Sequence, residues 1–89
     1  MSIWFKEYDV DDIVTENTMV EHLGIKVIEL GEDYLVGTMP VDNRTKQPFG
    51  ILHGGASVAL AETLASYGGY LTINPEKYHM TFCKQVLGN

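Results

Sequence analysis

Apolar and polar side chains alternate roughly along Ile25-Lys26-Val27-Ile28-Glu29-Leu30, and β-branched residues are frequent there. That is the pattern of a strand with one buried face. Gly31-Glu32-Asp33 supplies a turn, so Tyr34-Leu35-Val36-Gly37-Thr38-Met39 is predicted to return as the second strand of a hairpin. From Gly54 to about Gly69 the pattern changes: nearly every position is apolar or small, which predicts a long helix buried on all sides. Upstream, Asp9-Val10-Asp11-Asp12-Ile13-Val14 reads as a capped helix start, with acids where the macrodipole favours them. A second short helix is expected over Thr18 to Leu23, stopped by Gly24. Pro40 to Phe49 reads as a polar loop, and Tyr78 to Val86 as a third strand with weak periodicity. Two or three strands cover such a helix poorly. The chain is therefore expected to associate with others or to lack strands.

Composition narrows the function classes. At 89 residues the chain is one domain, near the small end for an independent core. Its hydrophobic content of 45% and charged content of 20% fit a soluble globular protein. A formal charge of -6 argues against nucleic acid or an anionic membrane as the main partner. The single cysteine, Cys83, cannot form an intramolecular disulfide, and no signal peptide or transmembrane run is read, so a cytoplasmic protein is expected. His22, His79 and Cys83 show no metal-ligand spacing, and no nucleotide-binding loop or serine-histidine-acid triad is read.

The chemistry concentrates in Gln47-Pro48-Phe49-Gly50-Ile51-Leu52-His53-Gly54-Gly55 and the helix that follows. Exposed N–H groups at a helix start suit an anion or a developing oxyanion, and Gly54-Gly55 offers them without side chains in the way. A tight turn that merely needs glycine is the plainer reading. Glu62 is an acid inside an apolar helix, costly without a task or a partner. Its helical face carries Gly55, Val58, Ala59, Ser66 and Gly69, mostly small, which leaves room for a substrate or a partner helix. A carboxylate paired inside the core is the alternative.

Thr38 to Gly50, His53-Gly54-Gly55-Ala56-Ser57 and Ala61-Glu62-Thr63, with Asn17 to Ile25 upstream, resemble the hotdog-fold acyl-CoA thioesterases. The resemblance is closest to the 4-hydroxybenzoyl-CoA branch, which also holds 1,4-dihydroxy-2-naphthoyl-CoA thioesterase and the enterobactin-pathway proofreading thioesterase. It implies an α+β hotdog fold, an antiparallel sheet wrapped around a long central helix. It runs from about Ile3 to residues 70–78. Beyond His79, where family members continue with further strands and basic residues near the CoA phosphates, it stops. Residues 1–89 are thus expected to be a single hotdog domain lacking its C-terminal strands.

The resemblance also implies roles. Glu62 attacks the thioester carbonyl or activates the water that does. The Gly54 N–H polarises that carbonyl, and Gln47 orients the thioester or the water. His53 belongs to the site as a hydrogen-bond donor or loop holder rather than a base. Ser66 either holds the hydrolytic water or only packs. Gly55, Phe49 and Tyr67 are substrate-side candidates, Tyr67 as the wall of an aromatic acyl pocket or as core. Arg44, with Lys46, either meets CoA phosphates or is a solvated loop residue. Glu62 lies about 12 Å along the helix from Gly54, too far for both to reach one carbonyl. A site shared by two antiparallel helices follows, hence a homodimer or dimer of dimers. The expected substrate is an acyl-CoA or acyl-carrier-protein thioester, aromatic acyl groups favoured, with no cofactor beyond the CoA of the substrate. The competing expectation is a truncated, catalytically impaired remnant that at most self-associates or binds acyl groups.

Overall fold

The computed structural model describes residues 2–74. The order is a 3-10 turn Val10–Asp12, helix α1 Met19–His22, strands β1 Lys26–Leu30 and β2 Leu35–Thr38, and helix α2 Gly54–Leu71. The fold is α+β, with an antiparallel hairpin laid against the long helix. The strand expected over Tyr78 to Val86 lies outside the described residues, as do His79 and Cys83.

Local chemistry explains each element. The acid-rich start folds only to a single 3-10 turn rather than a longer helix. Asp9 accepts from the Asp11 N–H at 3.1 Å, and Asp12 accepts from the Asp9 N–H at 2.8 Å, a reciprocal box that closes one turn. Thr18 caps α1 through the Glu21 N–H. Gly24 ends it as expected, with φ +75, a conformation that favours glycine. A Cβ there would also lie 3.0 Å from the Pro40 ring.

The strands pair Lys26 with Thr38, Val27 with Gly37, Glu29 with Val36 and Leu30 with Leu35. Ile28 is the extra residue of a bulge and is 55% exposed, so the imperfect alternation of β1 is a real irregularity. Tyr34 belongs to the turn rather than to β2. Its ring covers Gly31, where a Cβ would be 2.1 Å from the ring, and its hydroxyl donates to Glu29 at 2.5 Å. At Gly37, β2 comes so near α2 that a Cβ would meet Leu64 at 2.3 Å. The N-terminal segment straps the hairpin to the helix end. Ile3 N–H donates to the Glu32 carbonyl, the Trp4 indole to Gly31, and Phe5 N–H to the Leu71 carbonyl.

One expectation is corrected. The helix is not buried all round: Ile25 and Leu71 are the buried apolar residues among those described, while Val58 is 67% exposed and Glu62 is exposed. Two strands about 5 Å apart cannot encircle a helix about 10 Å across. The side holding Leu60, Leu64 and Tyr67 is covered, and the side of Glu62 is open. Ala59 falls at the margin, half-buried.

Candidate functional site

The loop before α2 is built from within. Thr45 is 1% exposed, its hydroxyl donating to the Pro40 carbonyl at 2.7 Å and accepting from the Asp42 N–H at 3.0 Å. The Asp42 carbonyl accepts from the N–H groups of Thr45 and Lys46. The Asp42 carboxylate accepts from the Arg44 N–H and guanidinium, the shortest contact being 2.6 Å. That guanidinium, hydrogen-bonded to the carboxylate, holds Asp42 below the ordinary carboxylate range, and Arg44 is raised in turn. Arg44 also donates to the His22 carbonyl at 2.8 Å, tying the end of α1 to the loop. In the structure Arg44 is tied into the scaffold, a use that neither expectation named.

Residues 46–52 then form a small hairpin. Lys46 bridges Leu52, Gln47 N–H donates to Ile51, and Gly50 N–H returns to the Gln47 carbonyl at 2.9 Å. Pro48 and Gly50 fall where such a turn favours them, and Gly50 has φ +88. The Gln47 side-chain oxygen accepts from the Phe49 N–H, so its acceptor is spent on the turn. Phe49 stands at the tip, 90% exposed.

His53 is the N-cap of α2. Its N–H donates to the Thr45 carbonyl, fixing it to the buried loop residue. Its Nδ1 accepts from the Gly55 N–H at 2.8 Å, and its carbonyl accepts from Ala56 and Ser57. Three of the four N–H groups that open the helix are thereby satisfied. The fourth, of Gly54, has no acceptor among the described residues. Gly55 must be glycine to admit the imidazole, since a Cβ would sit 3.0 Å from the ring. A Cβ at Gly54 would meet nothing within 4 Å. Among the described residues nothing requires glycine at 54.

Two turns along α2, Glu62 accepts a 2.8 Å hydrogen bond from the Ser66 hydroxyl. The pair stands on the open face with Val58, Ala65 and Gly69. Tyr67 turns the other way, its hydroxyl 3.5 Å from the Val14 carbonyl, in a hollow of about 280 Å³ with Ile13, Tyr70 and Leu71. Burial raises its pKa. Within one chain, then, His53, Gly54 and Gly55 share the helix start, Gln47 lies in the hairpin before it, and Glu62 pairs with Ser66, while Tyr67 turns to the other side. A second hollow of about 280 Å³ borders the helix start, lined by Met19, Leu23, Arg44, Lys46, His53, Gly55, Ala56 and Ala59. Met19 and Leu23 were missed from sequence; their apolar pairing on one face of α1 was the available signal. A wider cleft, about 560 Å³, lies between α1, β1 and Pro40 and shares only Arg44 with this hollow. Among the described residues no group of three His, Cys, Asp or Glu side chains could hold a metal, and no helix is long and apolar enough to cross a membrane.

No family model matches the chain. Curated relatives do: it is 58% identical over 72 residues to the proofreading thioesterase EntH of Cronobacter sakazakii, covering 79% of this chain and 53% of that protein. The corresponding EntH of Cronobacter turicensis is 57% identical over the same length. Among solved structures, thioesterase HI1161 of Haemophilus influenzae superposes with a TM-score of 0.78 at 49% identity, over 81% of this chain and 52% of that one. In sequence and fold the chain is similar to thioesterases of the hotdog type. A glutamine-to-alanine mutant of thioesterase PA1618 from Pseudomonas aeruginosa gives a TM-score of 0.80 at 40% identity, over 84% and 55% of the two chains. The chain spans about half the length of the curated relatives it matches.

Proposed function

We propose that this chain supplies the two half-sites of a thioester hydrolase, each completed by a second copy. The observation that carries the reading is the uncommitted Gly54 N–H at the start of α2, on a helix whose open face also bears the Glu62–Ser66 pair. Residues 54 and 62 are about 12 Å apart along one helix, so one carbonyl cannot meet both from a single copy. Two α2 helices packed antiparallel bring Gly54 of one to Glu62 of the other. The Glu62 carboxylate then faces the positive end of the partner helix, a complementary pairing of charge.

In the reaction, the Gly54 N–H takes up the charge that develops on the thioester oxygen. Either Glu62 removes a proton as water adds to the carbonyl carbon, or its oxygen adds directly and water then cleaves the resulting anhydride. The carbon–sulfur bond breaks, and the thiolate leaves and is protonated. The products are a carboxylic acid and a free thiol. Ser66 holds the Glu62 oxygen in place, and the Gln47 amide, with its acceptor occupied, presents its N–H groups. The resemblance favours an aromatic acyl group on CoA, a cytoplasmic setting and no separate cofactor.

Release of free CoA thiol from a panel of aroyl- and fatty-acyl-CoA substrates tests the proposal, with Glu62→Gln as control. Turnover by the parent chain that the variant loses is expected; undiminished turnover in Glu62→Gln sinks the assignment. After single turnover in ¹⁸O-water, label in Glu62 would identify the anhydride route with water adding at the Glu62 carbonyl. The openness of the Glu62 face favours one alternative, a self-associating or acyl-binding module without hydrolysis. It predicts binding of acyl-CoA with no thiol release.

A further inference from the structure

The hollow of about 280 Å³ beside the start of α2 touches His53 and Gly55, the two chain neighbours of Gly54. It is formed within one copy, so it does not depend on how two helices pair. Its apolar lining comes from Met19 and Leu23 on α1 and from Ala56 and Ala59, one turn apart on α2. Met19 is 65% exposed, so most of its surface gains from being covered by an apolar group, and its flexible thioether adapts to the shape of one. The Arg44 guanidinium holds α1 to the loop through the His22 carbonyl at 2.8 Å, which fixes this wall against the helix start. An apolar lining with a few placed polar groups is the ordinary make-up of a small-molecule site.

The polar groups of the hollow discriminate between the two arms of a thioester. Arg44 and Lys46 offer donors and no acceptor, and Arg44 is already engaged by Asp42 and His22. His53 spends its Nδ1 on the Gly55 N–H, which leaves Nε2 as a donor in the neutral ring. An arm rich in amide N–H groups, such as the thiol side of CoA, would bury donors among side chains that have no acceptor to give. A hydrocarbon or aromatic acyl group strands no amide, and an acceptor on it can meet Lys46. Size narrows the choice further, since a dry cavity of about 150 Å³ accepts benzene. The hollow thus suits one substituted ring or a medium-length chain, and not a long fatty chain.

We infer that this hollow takes the acyl end of a thioester whose carbonyl rests on the Gly54 N–H, and that Met19 and Leu23 set the size of acyl group accepted. The inference rests on the thioester reading proposed above, though not on the pairing of two copies.

Methionine methyl groups labelled with ¹³C in the full chain test it directly, because Met19 lines this hollow and Met39 lines the cleft of about 560 Å³. The probe is phenacyl-CoA, a thioether that keeps an aryl ketone and cannot be hydrolysed. A ring-current shift of the Met19 resonance is expected, with Met39 unmoved; a shift at Met39 alone, or at neither, overturns the assignment. Turnover profiles give the second reading, and Met19 is exposed enough that its replacement leaves the packing of the chain in place. Met19→Trp fills the hollow and should lower kcat/KM for benzoyl-CoA about tenfold, while acetyl-CoA changes by less than about twofold. Met19→Ala should raise the preference for octanoyl-CoA over benzoyl-CoA by about tenfold. Unchanged profiles in both variants, with hydrolysis intact, overturn the acyl pocket and leave the hydrolytic reading standing. A Met19 shift in a chain without turnover does the reverse: it supports the pocket and overturns the hydrolytic reading.

Discussion

The loop of residues 40–55 and the open face of α2 both carry candidate chemistry and are built in opposite ways. In the loop, the polar groups close on one another: Thr45 on Pro40 and Asp42, Arg44 on Asp42 and His22, His53 on Thr45 and Gly55. At the start of α2 the Gly54 N–H has no acceptor among the described residues. On the helix face from Val58 to Gly69, only Ser66 and Glu62 engage each other, and the rest is small and exposed. The contrast teaches where the site is finished and where it is not. On the proposed reading, the donor side is complete in a single copy and the acid side takes a second one.

The largest expected effect breaks the acid side alone. Glu62→Gln keeps the side-chain shape and the Ser66 contact but removes the base or nucleophile. A loss of about 10²–10⁴ in thiol release is expected, with the urea midpoint unchanged within error. The loop side should respond in the opposite currency. Thr45→Val leaves the Pro40 carbonyl and the Asp42 N–H without their buried partner, at a cost of about 2–3 kcal/mol. Urea unfolding measures it, and a stability like that of the parent would show that the loop is not held this way.

Glycine pairs sharpen the comparison further. Gly24→Ala meets Pro40 and Arg44 in a positive-φ backbone and should cost about 1–2 kcal/mol. Gly54→Ala meets nothing, so folding of the single chain should change by no more than about 0.5 kcal/mol. Its methyl nevertheless stands in front of the free N–H, so turnover should fall sharply. If Gly54→Ala turned over normally, the N–H would not be the carbonyl-binding group.

This division also explains what was legible in the sequence. The hairpin, the Gly24 stop, the long helix and its Gly54 start are set by local patterns, and all were readable to within a few residues. The 3-10 turn at Val10 and the Ile28 bulge depend on one or two hydrogen bonds that propensity does not resolve. Glu62 was read as buried because its neighbours are small and apolar. That pattern records an intermolecular surface as readily as a core, and a single chain leaves it exposed. For Arg44 the sequence leaves a phosphate contact and a solvated loop residue equally open; Asp42, two positions before it, is the signal for the ion pair that the structure adds.

The smallest expected effect tests the loop through pH. Asp42 is held below its ordinary value first by the Arg44 guanidinium hydrogen bonds and then by the Arg44 N–H. A carboxylate whose folded pKa is depressed stabilises the fold above its unfolded pKa, near 4, and that contribution is lost as pH falls through the folded value. The loss therefore belongs to the acid side of about pH 4, and neutral conditions should not reveal it. Both partners are substantially exposed, so screening keeps the effect slight. Arg44→Gln removes the guanidinium and leaves the other acids in place. Urea midpoints followed from pH 7 downward should fall less steeply in this variant than in the parent below about pH 4. Parallel curves would mean that the pair does not shape the loop, and that the fixed approach of His53 to Gly55 rests on Thr45 alone.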